Sequence, residues 1–122
     1  MKSKLWIDDV RRPPDKSWYW AKTSEDAIHA INVGIYSGMV YREISFDHDL
    51  GGDDTAYRVA TFIEEYAEKG YLARIKWYIH SANPVGRARL HAALTSADKF
   101  WSRNEDREET DPFWFERTER DQ

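Results

Sequence analysis

Three apolar runs in this chain end in residues that resist burial. "KLWIDD" closes on Asp8 and Asp9, "REISFDHDLGG" on Asp47, His48 and Asp49, and "RIKWYIHSAN" on His80, Ser81 and Asn83. Adjacent carboxylates repel unless a cation or a donor joins them. Asp8, Asp9, Asp47 and Asp49 together therefore describe a hard, oxygen-rich site suited to Mg2+ or Mn2+. His48 and His80 add two imidazoles whose charge changes near neutral pH, one to take a proton and one to give it. Splitting a phosphodiester needs both acts, at the nucleophile and at the leaving oxygen. Ser81, Asn83 and the start of the helix after them offer hydroxyl and backbone donors for a phosphate oxygen. Arg11 and Arg12 offer a guanidinium clamp.

Each of these residues also has a plainer use. Asp8 or Asp9 suits the capping of a turn, and Asp49 with Gly51 and Gly52 suits turn chemistry. The two arginines suit pairing with nearby acids. His29 and His91 lie in helical patterns and read as surface residues. What favours a site is the coincidence: polar, chemically able residues follow three of four apolar runs.

Those runs must place the residues, and their composition predicts strands over 4–8, 18–23, 42–46 and 74–81. Three helices fit between and after them. Thr23 and Asp26 open "SEDAIHAINVG", which ends at Gly34. "DDTAYRVATFIEEYAEKG" has acidic residues at its start and Gly70 at its end. "NPVGRARLHAAL" has Asn83 as N-cap and Pro84 in the first turn. Strands alternating with helices predict right-handed crossovers and a mostly parallel sheet. In such a sheet the three polar strand ends share one edge, where ligands bind. Trp18, Tyr19 and Trp20 read as core, with a base-stacking face as the alternative.

At 122 residues the chain suits one domain with one core. It has no cysteine, which excludes disulfides, thiolate metal sites and cysteine nucleophiles. No apolar stretch is long enough for a membrane span, and "MKSKLWIDD" reaches carboxylates too soon for a signal peptide, so a cytoplasmic protein with no membrane partner is expected. The net charge of −4 belongs to residues 102–122, which hold eight acidic and four basic residues; the first 101 are neutral overall. Global acidity therefore does not argue against a phosphate-bearing ligand. No P-loop, dinucleotide fingerprint, HExxH or GxSxG is present.

An acidic pair after strand one, an aspartate after strand three and a hydroxyl residue after strand four resemble the receiver domain of response regulators. The matching positions are Asp8, Asp9, Asp47 and Ser81. The resemblance implies Mg2+ binding by the acids and phosphoacceptor chemistry at Asp47. Three features depart from it: His48 follows Asp47, "LGGDD" replaces the usual loop, and Lys99 in "SADKFW" lacks the setting of the receiver lysine. "LWIDDVRRPP", "ISFDHDLGG" and "IHSANPVG" are more similar to the three signature blocks of the cyclic-phosphate processing receiver domain, across roughly residues 5–86. That likeness implies the handling of cyclic phosphate ends or cyclic nucleotides.

The expected fold is a receiver-like, flavodoxin-type three-layer α/β domain over residues 1–101. A charged tail over 102–122 is expected to dock through Phe113, Trp114 and Phe115, or to add an edge strand. The expected function is a phosphodiesterase acting on 2′,3′-cyclic phosphate RNA ends or a cyclic nucleotide. In it His48 and His80 are acid and base, and the aspartates hold a cation or orient the histidines. The alternatives are a non-catalytic nucleotide or cyclic-oligonucleotide binder and a degenerate phosphoacceptor.

Overall fold

Four short parallel strands carry the polar residues to one edge. In the computed structural model, which describes residues 2–110, they are β1 (Lys4–Ile7), β2 (Trp18–Ala21), β3 (Glu43–Phe46) and β4 (Lys76–Ile79). The helices are α1 (Ser24–Ser37), α2 (Tyr57–Glu68) and α3 (Pro84–Thr110). All strand pairs are parallel, in the order β2-β1-β3-β4. The chain leaves β1 toward β2 and returns on the other side as β3, so the switch point lies between β1 and β3, the place where α/β sheets bind ligands. This is the receiver-like α/β architecture expected.

The strands' alternation sorts their side chains. Leu5, Ile7, Ala21, Ile44 and Phe46 face one way and join a single core with Ala27 and Ile31 of α1, Val59 and Ile63 of α2, and Leu90 and Leu94 of α3. All three helices therefore cover the same face. Trp6, Trp18 and Ser45, also buried, point to the other face and lie outside that core. Among the described residues the domain has two layers, which corrects the expected three. The cause lies in the β1–β2 connection: Pro13 and Pro14 interrupt a stretch of only ten residues, too short and too rigid for a covering helix.

Thr23 caps α1 as expected, accepting a hydrogen bond from Asp26 N at 3.0 Å. The helix ends at Ser37, with Gly38 at φ 76°, and not at Gly34. Gly34 is there for close approach: a Cβ would stand 3.0 Å from Met39 O. α2 starts later than its acidic flank suggested and has no side-chain cap, because Asp54 turns away to α1. Asp54 accepts from Ser24 N at 2.9 Å and from Ser24 Oγ at 2.5 Å, while Arg58 donates to the same hydroxyl at 3.0 Å.

The boundary expected at residue 101 falls inside α3. Trp101 Nε1 donates to Leu72 O at 2.7 Å, Asn104 to Ala67 O at 3.0 Å, and Arg74 pairs with Asp98 and Glu105. The helix thus continues to pack on the body beyond that point. Phe113, Trp114 and Phe115 lie outside the described residues.

Candidate active site

Ladder hydrogen bonds run one residue beyond three strands. Asp8 N donates to Ala21 O at 3.1 Å, Asp47 N to Ile7 O at 2.8 Å and His80 N to Phe46 O at 2.9 Å. The alternation of the strands therefore extends to these residues, and Asp8, Asp47 and His80 form one row on the helix-free face. Asp8 is buried, whereas Asp9 and Asp47 are half-buried. Oxygens of Asp8, Asp9 and Asp47 all lie within 4.8 Å of one another. An open cleft of about 550 Å3 adjoins them, lined by Asp8, Asp9, Arg11, Asp47, Asp49 and Gly51 among others.

Asp8 is the best-held member. Its Oδ1 accepts from Val10 N at 2.9 Å and Arg11 N at 2.7 Å, and its Oδ2 lies 3.0 Å from His80 Nε2. His80 Nδ1 lies 2.7 Å from Ser45 Oγ. Burial pushes the His80 pKa below its ordinary value, against the opposing pull of Asp8 and Asp47. A neutral ring beside a carboxylate carries its proton on Nε2 and donates it to Asp8, leaving Nδ1 to accept from the Ser45 hydroxyl. The ring also stacks on Trp6, with centroids 3.9 Å apart and planes 7° apart.

His48 is placed differently. Its Nδ1 lies 3.1 Å from Asp49 Oδ1, and its Nε2 is buried with no hydrogen-bond partner among the described residues. The ring packs under the first turn of α3, where a Cβ at Gly86 would stand 2.3 Å from His48 Cγ. Only glycine admits that contact. Asp49 also accepts from Asn83 Nδ2 at 3.3 Å; these two bonds, Asn83's the stronger influence, hold its carboxyl below the usual carboxylate range. Each histidine thus holds an aspartate of the cleft, His80 from the sheet face and His48 from beneath α3.

The structure brings Asp8, Asp9, Asp47 and His80 together, and keeps Asp49 outside the carboxylate group, paired with His48. The residues expected to contact phosphate are engaged otherwise. Ser81 is buried and accepts from Asn83 N at 3.1 Å; Asn83 Oδ1 accepts from Val85 N and Gly86 N. These bonds cap α3 and occupy the donors at its start. Arg11 stands at the cleft with Nη1 on His80 O at 3.3 Å, and Arg12 is exposed.

Sequence reasoning missed Ser45 and Trp6. The signal for Ser45 was its place two residues before Asp47 in "EISFD", which puts its hydroxyl on the same face. Trp6 likewise precedes Asp8 by two.

A family model described as the cyclic-phosphate processing receiver domain matches residues 3–96, a span that includes every residue of this edge. No curated protein and no solved structure matches the chain.

Proposed function

Because the chain belongs to the cyclic-phosphate processing receiver domain family, we propose that it is a phosphodiesterase opening a cyclic phosphate, either a 2′,3′-cyclic RNA end or a cyclic nucleotide. The observation that carries this reading is the carboxylate group at the switch point, with Asp8 fixed by two backbone N–H groups and by His80. Three single oxygens within 4.8 Å suit a small, hard cation such as Mg2+ or Mn2+, with Asp8, Asp9 and Asp47 as its holders. Such a cation would polarise a phosphate oxygen and acidify a bound water.

The chain's own residues then divide the work. His80, neutral and engaged at both nitrogens, positions Asp8. Arg11 supplies positive charge beside the cleft for the phosphate. His48 is assigned the proton-carrying role: its Nδ1 lies against Asp49 at the cleft, and its buried Nε2 has no hydrogen-bond partner among the described residues. A water oxygen bonds to phosphorus, one P–O ester bond breaks, and the water's proton passes through His48 to the leaving oxygen, which becomes the free hydroxyl. Lys99 lies exposed within α3 and does not follow a strand, so it does not stand in the setting of the receiver lysine.

The test is chromatography of 2′,3′-cyclic and 3′,5′-cyclic substrates after incubation with the protein, with and without chelator. Turnover that falls on chelation and in Asp47→Asn and His48→Ala is expected. Stoichiometric binding with every substrate recovered unchanged would overturn catalysis in favour of a binder.

A further inference from the structure

The helix-free face of the sheet is a patterned surface that leads into the site. Its rows follow from the register. Trp18, Lys4, Glu43 and Lys76 lie side by side; above them come Trp20, Trp6, Ser45 and Tyr78; above these come Asp8, Asp47 and His80. Lys22 extends the β2 column, with Nζ 4.4 Å from the Trp20 ring. Lys2 reaches Trp18 O at 3.2 Å. Four lysines, Lys2, Lys4, Lys22 and Lys76, thus stand on or beside this face, with Glu43 among them and the carboxylates of Asp8 and Asp47 confined to the row at its upper end, although the whole chain carries −4.

The aromatic residues divide into supports and platforms. Trp6 and Trp18 are packed edge to face and buried, making a rigid floor. Tyr78 is 46 % exposed, and Trp20 is half-buried at the β2 edge. The β1–β2 loop lies over the floor, with Trp6 Nε1 donating to Arg11 O at 2.8 Å, and leaves Tyr78 and part of Trp20 open beside basic side chains, a setting in which unpaired bases stack while lysines meet the phosphates. A protein partner would need a larger apolar area than Tyr78 and Trp20 leave open.

We propose that this face binds single-stranded nucleic acid running up to the Asp8–Asp47–His80 row, so that the substrate is the end of a strand and not a free cyclic mononucleotide. This rests on the phosphodiesterase reading for what happens at the row, but the binding stands on the face alone. Stacking is sequence-tolerant, so the face accepts a strand of any base composition.

The experiment is fluorescence anisotropy of the full chain with a short labelled single-stranded RNA ending in a 3′-hydroxyl, in chelator so that no turnover intervenes. Binding is expected to weaken about tenfold in Tyr78→Ala and in Lys76→Glu, to fall steeply with salt, and to survive Lys99→Glu on the helical side. Both test residues are exposed, and unchanged circular dichroism would show that the fold is kept. Two outcomes would overturn the proposal: equal binding of duplex RNA, or no RNA binding, in which case self-association lost in Tyr78→Ala would assign the face to a second copy. RNA binding with no turnover of any cyclic substrate would instead remove the phosphodiesterase reading and leave this face as a strand-binding surface.

Discussion

The imidazole of His80 lies flat on the indole of Trp6, its centroid 3.9 Å away, while its edge bridges Ser45 and Asp8. The stack fixes the plane of the ring, and the two hydrogen bonds fix its rotation within that plane. Asp8 consequently has one orientation, set from the sheet on one oxygen and from the β1–β2 loop on the other. Partners that orient a ligand from behind in this way commonly contribute about 10–100-fold in metal affinity. We expect His80→Ala to weaken Mg2+ or Mn2+ binding by roughly that factor in isothermal titration, and His80→Gln to recover part of it. Equal affinity in wild type and His80→Ala would remove the positioning role.

The same burial makes the metal-free protein sensitive to mild acid. His80 titrates below its ordinary value in the folded state because desolvation outweighs the attraction of Asp8. Above about pH 6.5 both folded and unfolded chains hold the ring neutral. As pH falls from there, the unfolded chain takes up a proton that the folded chain refuses, so stability declines until the lowered folded value is passed. Denaturant unfolding in chelator should therefore show a loss over this window that is reduced in His80→Gln. Parallel pH profiles for the two proteins would contradict it.

Gly86 carries a second, independent constraint. A methyl group there would meet His48 Cγ at 2.3 Å and Cβ at 2.7 Å, far inside contact distance and at the near end of the side chain, so that something must shift. Gly86→Ala should cost about 1–3 kcal/mol in chemical denaturation. Because the clash is with one side chain, adding His48→Ala should relieve much of it, giving a coupling that a double-mutant cycle reads directly. Additive losses would mean that the glycine serves something other than the ring.

How far the sequence predicted this molecule depended on the range of each interaction. The strand ends were legible because continuous apolar runs stopped abruptly at Asp8, Asp47 and His80, and the cap at Thr23 was legible because it is made three residues away. The start of α2 was not, since Asp54 spends its carboxylate on Ser24, thirty residues earlier in the chain. The extent of α3 was hidden by its charge. Asp98, Ser102 and Glu105 recur at helical spacing, but their common partner, Arg74, is visible only once the chain is folded. The absence of a helix from one sheet face was foreshadowed by Pro13 and Pro14, which leave the β1–β2 connection as a loop over Trp6. The carboxylate group and the first histidine–aspartate contact followed from parallel strand ends. The burial of His48 under Gly86 followed from nothing local.

The separation of Asp49 from the other three carboxylates makes a graded prediction. Asp47 offers an oxygen within 4.8 Å of those of Asp8 and Asp9, whereas Asp49 spends one oxygen on His48 and the other on Asn83. Asp47→Asn should abolish measurable Mg2+ or Mn2+ binding in calorimetry, because a neutral amide replaces one of three charged ligands. Asp49→Asn should leave cation affinity within about threefold, a change of roughly 0.6 kcal/mol, while lowering turnover through His48. Loss of cation binding in both variants alike would place Asp49 among the ligands and remove its separate role.

Asp54 joins the loop that carries Asp49, Gly51 and Gly52 to the start of α1. Its two oxygens take Ser24 N and Ser24 Oγ, so it acts as a cap supplied from another segment, with Arg58 adding a third contact at the same hydroxyl. Removing a helix-capping acceptor costs about 1–2 kcal/mol. Asp54→Ala should lose that much in denaturant unfolding, and Ser24→Ala should lose a similar amount, with the double variant close to either single one because both break the same contact. The loop that loses its tether also lines the cleft, so hydrogen exchange at the Leu50 amide, bonded to Asp54 O at 3.0 Å, should accelerate in Asp54→Ala while that at Ile44 in β3 stays slow. Unchanged exchange at Leu50 would show that the tether holds α1 alone and that the cleft keeps its shape without it.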